Sequence, residues 1–181
     1  MSDLVGRLAR ARIGATHNQY ARSALLRERL RAYLEARADA PVVLVGEAAG
    51  YRGARVSGIA FTSERQLTGT GPAEASATIV HRTLAALGVE DDVLLWNVVP
   101  THPGTATSNR VPTRAEIAAA RPFLDAVTRG RLVVAVGRVA AAALRAPYVR
   151  HPSHGGAAAF ADGVRGQLRA HGFDCAAPPA R

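Results

Sequence analysis

The chain has 181 residues, 48% hydrophobic and 20% charged, with a mean hydropathy of +0.02; that is enough for one ordinary domain with a buried core and too little for two. No stretch approaches the roughly 18 consecutive apolar residues of a membrane-spanning helix, and the first residues carry no secretory signal, so a cytoplasmic protein with no membrane partner is expected. A net charge of +9, with 23 basic residues that are all arginine, favours phosphate-bearing partners, while the lack of lysine excludes side-chain Schiff-base and phosphate-loop chemistry.

Along the chain, residues 4 to 18 carry Arg7, Arg10 and Arg12 with weak periodicity, and segment 1–20 is either a basic arm or an extra helix. Residues 21 to 37 place Leu25, Leu26, Leu30, Tyr33 and Leu34 at helical spacing, the stripe of an amphipathic helix. At Pro41 the pattern changes to Val42, Val43, Leu44 and Val45, a strand buried on both faces and ended by Gly46. A helical segment over 74–88 closes at Gly88. A second strand follows at 93–96, then a helix over 114–129 with Thr113 as its cap. The third strand runs over 132–136 to Gly137 and is followed by a helix over 138–145. A short extended pair, Tyr148 and Val149, leads into His151-Pro152 before a last helix over 157–171. The single cysteine, Cys175, provides neither a disulfide nor the ligand set of an iron-sulfur cluster. One domain is expected over 1–174, with a disordered tail over 175–181.

Strands alternating with helices imply a three-layer α/β/α sandwich around a central, mainly parallel four-stranded sheet. Ligands in such sheets bind beyond the carboxyl ends of the strands, so the residues that follow each strand matter most. After the first come Gly46-Glu47-Ala48-Ala49-Gly50-Tyr51-Arg52-Gly53, then Arg55 and Gly58-Ile59-Ala60-Phe61. This is either a plain turn or a loop that aims N–H groups and a carboxylate at a ligand; neither GxGxxG nor GxxxxGK[ST] is present. After the second comes Asn97, which is either a loop cap or an amide able to donate and accept at once, and then Asn109-Arg110-Val111-Pro112. After the fourth comes Arg150-His151-Pro152-Ser153-His154-Gly155-Gly156. His151 and His154 with His102 form a poor metal set without carboxylate or cysteine companions, and no metal or other cofactor is expected. A serine hydrolase is disfavoured, since no GxSxG elbow exists.

In this order, GEAAG, then Gly-x-x-Phe, then a strand-end Asn, then HPS, the chain resembles the uracil-DNA glycosylase superfamily over roughly residues 41 to 160. It is most similar to cluster-free bacterial members with GExxGxRG, SGxxFTSE, NRxPT and VRHPSHGG. The resemblance implies that Glu47 activates water, Phe61 stacks on an extruded base, Asn97 bonds the base edge and His151 faces its O2. It also implies that Gly46, Ala48 and Tyr51 help to line the base site, and that Arg52, Arg55, Arg110, Arg150, Ser153 and His154 meet DNA, the His151–Gly156 loop pressing into the minor groove. Ala48 stands where GQDPY members have their water-binding Asp, so the carboxylate falls to Glu47. Gly50 stands where a tyrosine ring excludes the methyl of thymine, and Tyr51 is the nearest substitute.

Such a site suits the reaction. Cleaving the N-glycosidic bond builds positive charge on deoxyribose and negative charge on the departing uracil, so a carboxylate near the first and fixed donors near the second both help. Without lysine, a monofunctional glycosylase acting as a monomer on uracil-containing DNA is expected. One rival is a protein of the same fold that grips abasic or damaged DNA with little turnover, favoured by Ala48 in place of Asp. The other is a hydrolase of small-molecule nucleotides or nucleosides, which has no use for a charge of +9.

Overall fold

The computed structural model describes residues 3–176. In chain order the elements are α1 (Leu4–Arg10), α2 (Ala24–Ala36), β1 (Val42–Ala48), α3 (Ala54–Ser57), α4 (Glu64–Thr68), α5 (Ala75–Leu87), β2 (Val93–Val99), α6 (Arg114–Thr128), β3 (Leu132–Val136), α7 (Arg138–Leu144), β4 (Tyr148–Val149) and α8 (Ala157–Ala170). The strands form one four-stranded sheet in the order β2-β1-β3-β4, and every pairing is parallel. The expected three-layer sandwich is therefore present, with a sheet that is parallel throughout.

The layers follow from alternation along the strands. Val43, Val45, Leu94 and Trp96 face a core that includes Leu8 of α1, Leu30 and Leu34 of α2, Leu124 and Val127 of α6, and Ala140 of α7. Val42, Leu44, Val93 and Leu95 face the opposite core, built on Val80 and Leu84 of α5 and Phe160, Val164 and Leu168 of α8. β2 lies at an edge, where an unpaired N–H row needs cover. Tyr33 supplies part of it, its hydroxyl accepting from the Leu95 N–H at 2.6 Å. Among the described residues no helix is long and apolar enough to cross a membrane.

Several expectations need correction. Of the two readings of segment 1–20 the extra helix is the one present: α1 buries Leu4, Val5 and Leu8, and the Asn18 amide donates to the Leu8 carbonyl at 2.8 Å, tying the following loop back to the helix. Leu25 is 54% exposed, because at 3.6 residues per turn it lies about 140° around α2 from Leu30 and about 180° from Leu34, off the buried stripe. Nor does the ordered chain stop at 174. Cys175 is buried with the α5 and α8 side chains, and the Ala176 N–H donates to the Leu87 carbonyl; residues 177–181 of the expected tail lie outside the described residues. The helices α3 and α4, of four and five residues, are too short for sequence periodicity to reveal.

Candidate active site

Parallel pairing sets Gly46 of β1 directly beside Asn97 of β2. Both strands run past the ends expected from sequence, to Ala48 and Val99, so Glu47 and Asn97 belong to strand tips rather than to loops. Regular backbone holds them more rigidly than a loop would. A side chain at Gly46 would put its Cβ 2.4 Å from Phe61 Cζ and 2.8 Å from Asn97 Oδ1. The glycine is what lets that ring and that amide close over the strand.

Phe61 is 9% exposed and has a φ of 51°, in the left-handed region that costs a side-chain-bearing residue on the order of 1 kcal/mol or more. Two braces hold this turn. The Ser57 hydroxyl donates to the Thr62 carbonyl at 2.6 Å and accepts from the Ile59 N–H at 3.1 Å. Tyr20 adds a bond to the Gly58 carbonyl at 2.8 Å.

Around these residues lies a cavity of about 380 Å³, within the range of small-molecule sites. Its lining includes Glu47, Ala48, Phe61, Asn97, Arg110, His151, Ser153 and His154, so residues from three strand tips and their loops converge on it. Asn97 is 5% exposed, yet its amide finds no hydrogen-bond partner among the described residues. An amide without a protein partner at a cavity wall is available to bond a ligand. Glu47 is half-buried and likewise has no cation beside it among the described residues; burial pushes its carboxyl above the usual carboxylate range.

His151 is half-buried behind the fourth strand. The Ser153 backbone N–H donates to its Nδ1 at 3.2 Å, which requires a bare lone pair there and so assigns the ring proton to Nε2. Burial first, then the charges of Arg150 and His154, holds its pKa below the ordinary histidine value, so the ring is neutral at pH 7 and carries one N–H donor.

Five candidates sit elsewhere or serve otherwise. Tyr51 is absent from the cavity lining: its N–H donates to Asn109 Oδ1 at 2.9 Å, and its ring lies 5.3 Å from the Arg52 guanidinium carbon. Arg52 and Arg150 are exposed and Arg55 is half-buried, all three outside the lining. Arg110 does line the cavity, but its fork is engaged, with Nη1 and Nη2 donating to the Glu116 carboxylate at 2.8 and 2.6 Å. That carboxylate also accepts from the Thr113 N–H at 2.8 Å, while the Thr113 hydroxyl accepts from the Glu116 N–H at 3.2 Å. Thr113 is thus the expected cap, and Arg110 is the brace of a buried capping box rather than a free phosphate ligand.

This brace has a pH signature. The Arg110 guanidinium, followed by the capping bonds, holds Glu116 at about 2 against a usual 4.5. The pair therefore stabilises the fold fully above the usual value and loses its contribution as pH falls toward about 2. Thermal melts of the parent and Arg110→Gln should show a Tm gap that is widest at neutral pH and narrows with acid. A gap that stays constant over this range contradicts the assignment.

Sequence inspection missed Glu74, Ser76, Pro103 and Asn109, which also line the cavity. Glu74 accepts from the Ser76 hydroxyl at 3.1 Å, and burial raises its pKa. Its carboxylate fills the space that side chains at Gly50 and Gly53 would take, with built Cβ positions 2.8 and 1.8 Å from its oxygens. The glycine spacing of GExxGxRG was the available signal. His102, the third histidine of the weak metal set, points both ring nitrogens at backbone carbonyls, of Ala49 at 2.6 Å and Thr105 at 2.7 Å, and so secures the loop after β1. Among the described residues no group of three or more His, Cys, Asp or Glu side chains could hold a metal ion.

The fold and the cavity together define a class: a parallel α/β domain whose polar site is assembled at the carboxyl ends of its strands. Residues 34–171 match the model of the uracil DNA glycosylase superfamily. The chain belongs to that superfamily, and DNA glycosylase is its class of activity. Among solved structures it is similar to the crystal structure of wild-type Pedobacter heparinus SMUG2, with a TM-score of 0.66 and 12% sequence identity over 94% of this chain and 97% of that one. At that identity the likeness speaks for the fold. A comparison with curated proteins returns no match.

Proposed function

We propose that the protein extrudes uracil from DNA and hydrolyses its N-glycosidic bond, leaving an abasic site. The observation that carries this reading is the convergence of an open amide, a neutral imidazole and an unpaired carboxylate on one cavity lined by a strained phenylalanine. Water activated by Glu47 adds its oxygen to C1′ as the bond from C1′ to N1 breaks, and the bonding pair leaves on uracil. The released proton passes to Glu47. The charge that gathers on O2 meets the Nε2–H of His151, with Asn97 on the adjoining base edge. Fixed donors of this kind are commonly worth about 3 to 4 kcal/mol each in the transition state.

Extrusion costs a few kcal/mol, and stacking on Phe61 recovers about 1 to 3 kcal/mol of it. Phosphate contacts from Arg52, Arg55 and Arg150, with Ser153 and His154 at the rim, supply a salt-dependent remainder. Arg110 is excluded from this set by its bond to Glu116. No lysine is available for an imine, which supports hydrolysis without strand cutting. Tyr51 lies outside the cavity lining, so rejection of thymine does not fall to its ring.

Phe61→Ala should raise the KM for a uracil-containing duplex by about tenfold or more while leaving affinity for undamaged duplex nearly unchanged. Equal losses in both, read by steady-state kinetics and gel retardation, contradict the stacking role. The function itself is checked by chromatography of free base released from uracil-containing DNA, with deoxyuridine alongside. Release from DNA with little from the nucleoside is expected. The reverse result makes the protein a nucleoside hydrolase.

A further inference from the structure

Three residues of the loop after β4, His151, Ser153 and His154, are joined by side-chain hydrogen bonds. The Ser153 hydroxyl lies 2.8 Å from His151 Nδ1 and 3.0 Å from His154 Nδ1. Since Nδ1 of His151 already accepts from the Ser153 N–H, it has no proton to give. The 2.8 Å contact must therefore be the hydroxyl donating to the ring. A hydroxyl has a single proton, so the 3.0 Å contact must be the His154 Nδ1–H donating to Ser153 Oγ.

The hydrogen bonds therefore run one way, from His154 through Ser153 to His151, ending at the Nε2–H in the cavity. His154 itself has a φ of 52°, a backbone state that a side-chain-bearing residue occupies at a cost. Gly155, at a φ of 73°, lets the chain turn back immediately behind it. A strained residue at a cavity rim, with its ring turned inward onto a serine, calls for a reason that solvent exposure alone does not provide.

We infer that His154 is a positioning residue for His151: through the Ser153 hydroxyl it locks the catalytic ring in its Nε2–H form and strengthens that N–H as a donor to the departing base. Donation into the Nδ1 lone pair draws electron density from the ring, so its remaining N–H becomes more acidic and bonds a developing anion more strongly. Consecutive hydrogen bonds polarise one another in the same sense. The same chain opposes protonation of His151 at Nδ1 and so protects the neutral ring as pH falls. The charged and titratable groups that share this space are Arg150 and His154 on the same loop, Glu47 at the tip of β1, Glu74 before α5, and Arg110 with its partner Glu116. This inference rests on His151 acting as the donor to the base.

The test uses the full-length protein with Ser153→Ala, His154→Gly and His154→Asn. Glycine relieves the backbone strain but removes the donor; asparagine tolerates the left-handed region and offers an amide N–H in place of Nδ1–H. Single-turnover release of uracil is followed across pH, and the proton position on His151 is read from its imidazole 15N shifts. Ser153→Ala and His154→Gly should each slow release by about tenfold, the value of one good hydrogen bond. Both should also move the acid limb of the pH profile upward, and His154→Asn should restore most of the rate. Parent-like rates and profiles in Ser153→Ala and His154→Gly overturn the inference. A parent inactive on uracil would instead defeat the functional reading, and the relay is then judged on the 15N shifts alone: bare Nδ1 in the parent, with His151 taking up its second proton at higher pH in Ser153→Ala, supports it, and no difference refutes it.

Discussion

His151→Ala is expected to lower single-turnover release of uracil about a hundredfold to a thousandfold, the usual consequence of deleting one preorganised donor to a developing oxyanion. The ring is neutral and its proton lies on Nε2, because Nδ1 accepts from the Ser153 N–H; it gains strength only as negative charge builds on the base. The loss should therefore fall on the chemical step, with binding of uracil-containing duplex little changed. Since burial keeps the pKa of His151 low, the parent should retain a neutral ring, and hence this donor, to pH values below 6.5. Single-turnover rates with gel retardation on the same samples check both points. An unchanged rate, or a loss confined to binding, removes His151 from the transition state.

Glu47→Gln should lower the rate by about a hundredfold or more, the range for a group that takes up a proton in the transition state. Burial without a cation raises the pKa of this carboxyl above 4.5, so the reactive ionised form is progressively lost as pH drops through the raised value. Glu47 should thus contribute an acid limb above the ordinary carboxylate range, and Glu47→Gln should lose that contribution and keep only the one set by protonation of His151. Stability should move the other way. A half-buried charge without a partner is held at a cost, so glutamine, which keeps the shape and removes the charge, should leave Tm equal to the parent's or higher. A substantial fall in Tm would mark Glu47 as structural, and a parent-like rate would exclude it from catalysis.

Much of this arrangement was legible before any coordinates. The apolar runs at 42–45, 93–96 and 132–136 identified buried parallel strands, and that alone directed attention to the residues behind them. Glu47, Phe61, Asn97 and His151 each follow such a run, or an ordered motif in the same sequence, and the fold brings all four to one cavity. What stayed hidden depends on tertiary distance. Glu74 lies more than twenty residues from Gly50 and Gly53 in sequence, and nothing local shows that its carboxylate fills their missing side chains. Arg110 looked like its exposed neighbours because its partner, Glu116, is buried only once α6 is packed. Leu25 falls off the buried stripe because its spacing from Leu30 and Leu34 puts it on the far side of a helix with 3.6 residues per turn. Basic residues 7, 10 and 12 masked the apolar face of α1, although Leu4, Val5 and Leu8 already stood at helical spacing.

The most direct measurement of the central claim incubates the purified protein with an end-labelled oligonucleotide containing one uracil, then treats the product with hot alkali. Scission at the uracil position in the alkali-treated sample, with an intact strand before treatment, is the predicted result. A strand that survives alkali while a retarded complex forms on a native gel would contradict it and leave a protein that grips damaged DNA without cleaving the glycosidic bond.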